Sequence, residues 1–185
     1  MRRYSLSATN TQAMNVPIVL TKVSLTYSPV EDRIRMTGQV NESDSRVFWL
    51  TLRICQKLVN AVGNFVEKAS SIPTGSDKEL VLSFQQSAAM VRKAPSEPVV
   101  PPENASPSLI ERVDVAYRKE QVLLSFLVPD GTAAQFALTV QQARQWLGIL
   151  RNQYRQAGWP MDVWPAWISG AEDKPMPSGA SQQVH

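Results

Sequence analysis

Val23-Ser24-Leu25-Thr26-Tyr27 has a counterpart ninety residues later, Val113-Asp114-Val115-Ala116-Tyr117, and the residues after each pentapeptide decide the fold. In the first, Val23, Leu25 and Tyr27 alternate with Lys22, Ser24 and Thr26, the period of two that marks a strand with one buried face. A polar turn comes next in both places, then an apolar-rich run, 33–40 in one and 121–128 in the other. In the first of these runs Ile34, Met36 and Val40 share a face with Gly38 between them, while Arg33, Arg35, Thr37 and Gln39 take the other. A second turn leads to Phe48-Trp49-Leu50-Thr51 and to Phe136-Ala137-Leu138-Thr139. The inward face of this short third strand is either Val47 and Trp49 or Phe48 and Leu50. The turns Ser28-Pro29-Val30-Glu31-Asp32 and Pro129-Asp130-Gly131 carry the residues that hairpins need.

Each third strand runs directly into a helix. Thr51 and Thr139 are its N-caps, and Thr139 has Gln142 at the capping-box position where the first copy has Ile54. Cys55, Leu58, Val59, Val62 and Val66 form an apolar stripe at helical spacing, and Ala143, Trp146, Leu147, Leu150 and Tyr154 form its match. Such a stripe must cover apolar surface, and the nearest is the helix's own three-stranded sheet. Cys55 is then a small core residue and not a reactive thiol. The fold expected is α+β: two tandem strand-strand-strand-helix units, 18–70 and 109–157, forming antiparallel sheets with covering helices.

Other segments differ from these units. Residues 1–17 read as a flexible N-terminus. Between the units, 76–108, a helical stretch (Leu80, Phe84, Ser87 and Met90 or Val91 on its apolar side) leads to a connector with five prolines in residues 95–107. Three of the five tryptophans, Trp159, Trp164 and Trp167, crowd into 158–168, and the Gly/Pro/Ser/Gln-rich end, 169–185, reads as disordered.

Composition narrows the function. The chain has 185 residues, 43% of them hydrophobic, which excludes wholesale disorder. Cys55 is the one cysteine, so no disulfide framework exists within the chain, and His185 is the one histidine. Histidine acid–base chemistry, Ser-His or Cys-His nucleophiles and His metal sites are therefore absent from the folded body. No phosphate-cradling glycine loop, Cys-x-x-Cys or Gly-x-Ser-x-Gly is present, and the Glu31-Asp32 pair belongs to a turn. Catalytic, cofactor and metal residues are expected to be none. Residues 1–75 carry nine Lys/Arg against five Asp/Glu, or +4, and 76–185 carry ten against eleven, or −1. No apolar run approaches the ~20 residues of a membrane span, so no membrane is expected and the location expected is cytoplasmic.

Two surfaces carry the functional expectations. Lys22, Arg33 and Arg35 are assigned to the outward face of the first sheet, with Arg46 nearby and Phe48 or Trp49 adjacent, a pattern that suits single-stranded nucleic acid, with cations on phosphates and rings under bases. The alternative is a solvated face. Trp159, Trp164 and Trp167 either fold back onto the body or anchor a partner protein. Leu123 and Leu127 stand on the second unit's outer face, where a covering sheet or subunit is expected. The first-ranked function is a non-enzymatic binding or accessory protein acting through another protein, with self-association through sheet edges or the leucine-bearing face. Single-stranded nucleic-acid binding ranks second.

The stretch Tyr27…Glu31-Asp32-Arg33-Ile34 with the later Phe48-Trp49-Leu50-Thr51-Leu52-Arg53 resembles a group of small proteobacterial proteins of unassigned function. The likeness covers mainly 20–60 and implies no activity or site. The doubled unit is also similar in plan to the Whirly and PUR-alpha groups of single-strand nucleic-acid binders. Those units carry a fourth strand, for which Val16-Pro17-Ile18-Val19-Leu20 is the candidate.

Overall fold

The structure is a computed structural model and describes residues 16–70, 77–94 and 96–168. The flexible N-terminus expected over 1–17 lies outside the described residues except for its last two, and the expected disordered tail, 169–185, lies wholly outside them. The fold is α+β. Its first half runs β1 (Ile18–Val19), β2 (Lys22–Ser28), β3 (Arg33–Gln39), β4 (Ser45–Leu50) and helix α1 (Leu52–Ala69). Helix α2 (Lys78–Val91) intervenes, and the second half runs β5 (Ser108–Leu109), β6 (Arg112–Tyr117), β7 (Gln121–Leu127), β8 (Ala133–Thr139) and helix α3 (Val140–Ala157). A single 3-10 turn, Ala166–Ile168, closes the described chain.

The two halves trade their leading strands. One sheet has the order β2-β3-β4-β5 and the other β1-β8-β7-β6, so β1 joins the second half's meander and β5 joins the first half's. Each meander is antiparallel, and each borrowed strand pairs parallel to it. The sheets are therefore mixed, where uniformly antiparallel ones were expected; two-residue strands carry no periodicity from which a partner can be read. The crossing is pinned at four places. Leu20 N–H donates to Gln135 C=O at 2.7 Å in the other half, and the next residue, Thr21, donates to Gln39 C=O at 2.8 Å in its own. Ile110 N–H donates to Trp49 C=O and Glu111 N–H to Leu127 C=O, both at 3.0 Å. Leu20 and Ile110 are both buried at these crossings. Leu20 lies over Gly38, where an added Cβ would come within 2.7 Å of a Leu20 methyl.

Pairing register settles the third strand. Met36 faces Phe48 and Ile34 faces Leu50, so Phe48 and Leu50 point into the core. The helical stripes also lie inside: Cys55, Leu58, Val59, Val62 and Val66, with Ala143, Trp146, Leu147, Leu150 and Tyr154. The inner faces of both sheets and the helices share one core. For that reason each helix reaches beyond its own sheet. Tyr27 N–H, on β2, donates to Gln153 Oε1 of α3 at 2.7 Å. Tyr117, on β6, donates its hydroxyl to Ala61 C=O of α1 at 3.3 Å and stacks on Phe65 with centroids 6.4 Å apart. The helices pack on the sheets as expected, and the sheet nearest in sequence, each helix's own, is not the whole of their contact. Both N-caps form, and the full capping box occurs at Thr139 alone.

Helix α2 is turned round relative to its hydropathy. Leu82, Gln86 and Ala89 are its buried positions, whereas Leu80, Phe84 and Val91 face solvent. Polar bonds explain the inversion. Gln86 Nε2 donates to Arg144 C=O at 2.9 Å, and Arg144 Nη1 donates to Leu82 C=O at 3.1 Å. Gly148 on α3 completes the seat, since a Cβ there would meet Met90 Sδ at 2.5 Å.

Candidate interaction surfaces

On the first sheet's outer face the register aligns Lys22, Gln39 and Ser45 in one row, Ser24, Thr37 and Val47 in the next, and Thr26, Arg35, Trp49 and Leu109 in a third. The proline-rich connector crosses the first two rows. Val99 N–H donates to Ser24 Oγ at 2.8 Å, Ser45 Oγ donates to Val100 C=O at 2.9 Å, and Lys22 Nζ donates to Glu97 C=O. Thr37 and Val47 are buried on this outward face. A cavity of about 500 Å³ remains between the connector and the turn at Asn41–Ser45, so the connector is a strap and not a packed layer.

The four cations expected on or near this face are consequently not together. Lys22 is held by the strap, and Arg33 lies 3.8 Å from Glu31. Arg46 sits opposite Gly38, on the other side of the sheet from Lys22 and Arg35, and pairs with Asp44. Only Arg35 remains half-buried beside half-buried Trp49 with no ion pair among the described residues. Phe48, the other candidate ring, is in the core. Arg46, expected nearby, is one residue out of step with the outward rows, and a one-residue displacement in a strand reverses a side chain's face.

The tryptophans fold back onto the body. Trp159, Trp164 and Trp167 are all buried, and Trp159 and Trp164 meet Tyr154 edge-on at 5.1 and 5.2 Å. Trp159 Nε1 donates to Asp32 Oδ1 at 3.0 Å, and Trp167 Nε1 donates to Glu67 Oε1 at 2.9 Å. Of the two readings of this segment, these positions are those of the fold-back; as anchors for a partner the three rings have no free face to offer. Asp32 also accepts the Tyr27 hydroxyl at 2.9 Å, and its φ of 47° fits it to the tight turn after β2. Glu31 and Asp32 point to different partners, as a turn requires.

The second sheet's outer face is open. Leu123 stands between Ala116 and Ala137, Leu127 between Arg112 and Ala133, and Ser125 between Asp114 and Gln135. Ala116, Asp114 and Ala137 are exposed, and Leu123, Ser125 and Leu127 are half-buried. The leucines led to the expectation of a cover on this face; the strap that serves the first sheet has no described equivalent here.

The third surface escaped sequence reading. Leu80 is 58% exposed, Phe84 68% and Val91 86%, with exposed Ser87 and Ala88 between them, so one side of α2 is an apolar stripe in solvent. Hydropathy locates the stripe and assigns it to the wrong side.

Near the other side of α2, Arg144 is almost fully buried. Its guanidinium donates to Leu82 C=O, Ser70 Oγ and Gln85 Oε1 and lies 5.3 Å from the Trp167 ring. Desolvation pulls its pKa down to about 10. Three neutral acceptors on two other helical segments make it a clasp holding α2 and the end of α1 to α3. A cavity of about 540 Å³ beside it is lined by Ser70, Gln85, Arg92 and Gln141. Burial likewise pushes the Cys55 thiol far up, as expected of a core cysteine. Among the described residues no group of His, Cys, Asp or Glu is placed to hold a metal ion, and no helix is long and apolar enough to cross a membrane. Compared with protein-family models, with curated proteins and with solved structures, the chain matches none.

Proposed function

We propose that the chain is a non-enzymatic binding protein that acts through another protein, with the outer stripe of α2 as its docking face. The exposure of Leu80, Phe84 and Val91 along one helix side carries this reading. Contiguous exposed apolar surface of this kind marks interaction sites, and an aromatic at its centre supplies the contact area that dominates protein interfaces. The helix is clasped from behind by Arg144 and Gln86, which gives the stripe a rigid backing. We read the two flanking halves as copies of one unit, supported by their common order of strands and helix, with α2 as the element one of them has in addition. The test is affinity purification from the native cell, with and without nuclease, comparing wild type with Phe84→Glu. Loss of nuclease-resistant partners on this substitution, with the folded-state circular dichroism retained, supports the reading; retention of all of them refutes it.

Single-stranded nucleic-acid binding is the second reading, favoured by the row in which Arg35 and half-buried Trp49 stand side by side on the uncovered part of the first sheet. A leading strand before each meander supports the likeness in plan to the Whirly and PUR-alpha groups. Arg35 is the cation this reading retains, since Arg33 is paired with Glu31. It predicts oligonucleotide binding that weakens steeply with salt and is lost in Arg35→Ala and Trp49→Leu; binding unchanged in both removes this face as the site.

A further inference from the structure

We infer that the outer face of the second sheet is a self-association surface, and that its occupant is the same face of a second copy of this chain. The side chains are arranged as a ridge between troughs. Strand β7 presents Leu123, Ser125 and Leu127, and the strand beside it, β8, presents Ala137, Gln135 and Ala133 in the same three rows. A twofold axis parallel to the strands and running between β7 and β8 exchanges ridge and trough. Leu123 of each copy then lies over Ala137 of the other, Leu127 over Ala133, and Ser125 opposite Gln135. Leucine on alanine lets two sheets approach to the ~10 Å of ordinary face-to-face packing. The polar middle row is matched as well: Gln135 Nε2 already donates to Ser125 Oγ at 3.2 Å within one face, and the axis offers each the same partner across the interface. An antiparallel sheet with one solvated face ordinarily alternates apolar and polar residues. Apolar side chains at six of these positions (Ala116, Leu123, Leu127, Ala133, Ala137, with Val19 of β1 60% exposed at the rim) depart from that pattern.

Size sets the strength. Strands of six (β6) and seven (β7, β8) residues rise ~3.3 Å per residue and lie ~4.8 Å apart, so these three and the short β1 make a face of roughly 350–400 Å² in projection. Two such faces remove on the order of 1,000 Å² of accessible surface in total, at the lower limit of specific interfaces. The dimer is therefore concentration-dependent, with Kd on the order of micromolar. This surface is separate from the α2 stripe, and the two readings stand or fall independently.

Sedimentation velocity of the full-length chain across a thousandfold concentration range tests the proposal. Wild type shifts from monomer to dimer, and Ala137→Arg, which changes an exposed side chain and fills the trough, stays monomeric. Phe84→Glu dimerises like wild type. In a Cys55→Ala background with oxidised glutathione as the oxidant, an equimolar mixture of Leu123→Cys and Ala137→Cys chains forms the mixed disulfide dimer faster than either variant forms its own, with two equivalents of thiol oxidised per bridge. A wild type that remains monomeric throughout overturns the proposal. So does a dimer that survives Ala137→Arg, and one abolished by Phe84→Glu would place the contact on α2 instead.

Discussion

Substituting Gly38 by alanine tests the strand crossing at its tightest point. Gly38 pairs with Val23 on one side and Arg46 on the other, and Leu20 arrives over it at the point where the chain passes from one sheet to the other. A Cβ at this position would lie 2.7 and 2.8 Å from the two Leu20 methyls and 3.2 Å from its Cγ, about an ångström inside ordinary contact. Either Leu20 leaves its rotamer or β1 lifts from β8, and overpacking of this kind costs roughly 1–3 kcal/mol. Leu20→Ala alone removes a buried side chain and leaves a cavity, at roughly 2–5 kcal/mol. In the double variant the new methyl meets only the shortened side chain at position 20 and fills part of that cavity, so Gly38→Ala becomes neutral or mildly stabilising there. The coupling between the two sites is therefore about 1–3 kcal/mol, well above the ~0.5 kcal/mol scatter of independent sites. Urea unfolding monitored by tryptophan fluorescence and circular dichroism reads it: with m near ~2 kcal/mol/M, Gly38→Ala lowers the midpoint by about 1 M in the wild-type background and by almost nothing in the Leu20→Ala background. Equal loss in both backgrounds would falsify the contact and, with it, the crossing.

Four more outcomes are expected of the same structure. Arg144→Met removes the clasp on three acceptors, of which the Leu82 carbonyl is buried, and should cost roughly 1–3 kcal/mol and expose α2 to proteolysis first; a thermal shift under about one degree contradicts this. Cys55 in the folded chain should resist a thiol reagent at about pH 8 and react fully once unfolded; rapid native-state labelling would show that it is not in the core. Burial raises the Cys55 and Tyr154 pKa values, so the folded state holds protons that the unfolded chain releases, and stability falls as pH rises above about 9 for Cys55 and about 10 for Tyr154, by up to ~1.4 kcal/mol per unit per group. Cys55→Ala with Tyr154→Phe should flatten that alkaline slope, whatever it does to the stability at neutral pH. Ser24→Ala with Ser45→Ala frees the strap and should speed proteolytic cleavage within 96–104 while leaving the core transition unchanged.

The elements that sequence reading located are those whose periodicity is set by one continuous core. Val23, Leu25 and Tyr27 on β2 and the two helical stripes all pack into or against it, so hydropathy and burial agree. It failed where polar groups decide the packing. In α2 the buried Gln86 and Ala89 and the guanidinium of Arg144 outweigh Leu80 and Phe84, and no hydropathy pattern encodes a glutamine seeking a carbonyl. Val47 reads equally well inward or outward because the strap makes both faces of that strand dry in the middle. The partners of β1 and β5 were illegible since two-residue parallel strands are placed by the residues around them, Leu20 and Ile110, and not by their own pattern. Of the candidate site residues, Arg35, Leu123 and Leu127 are half-buried on outer sheet faces, Arg46 lies one register step away on the opposite face, and the three tryptophans are buried against Tyr154, Asp32 and Glu67.

Scalar couplings across hydrogen bonds test the reciprocal strand exchange most directly. In a long-range amide–carbonyl correlation spectrum of the labelled chain, the Leu20 amide should couple to the Gln135 carbonyl and the Ile110 amide to the Trp49 carbonyl. A Leu20 amide coupled to any carbonyl in residues 22–50, or an Ile110 amide coupled to one in 112–139, would mean that each half keeps its own leading strand.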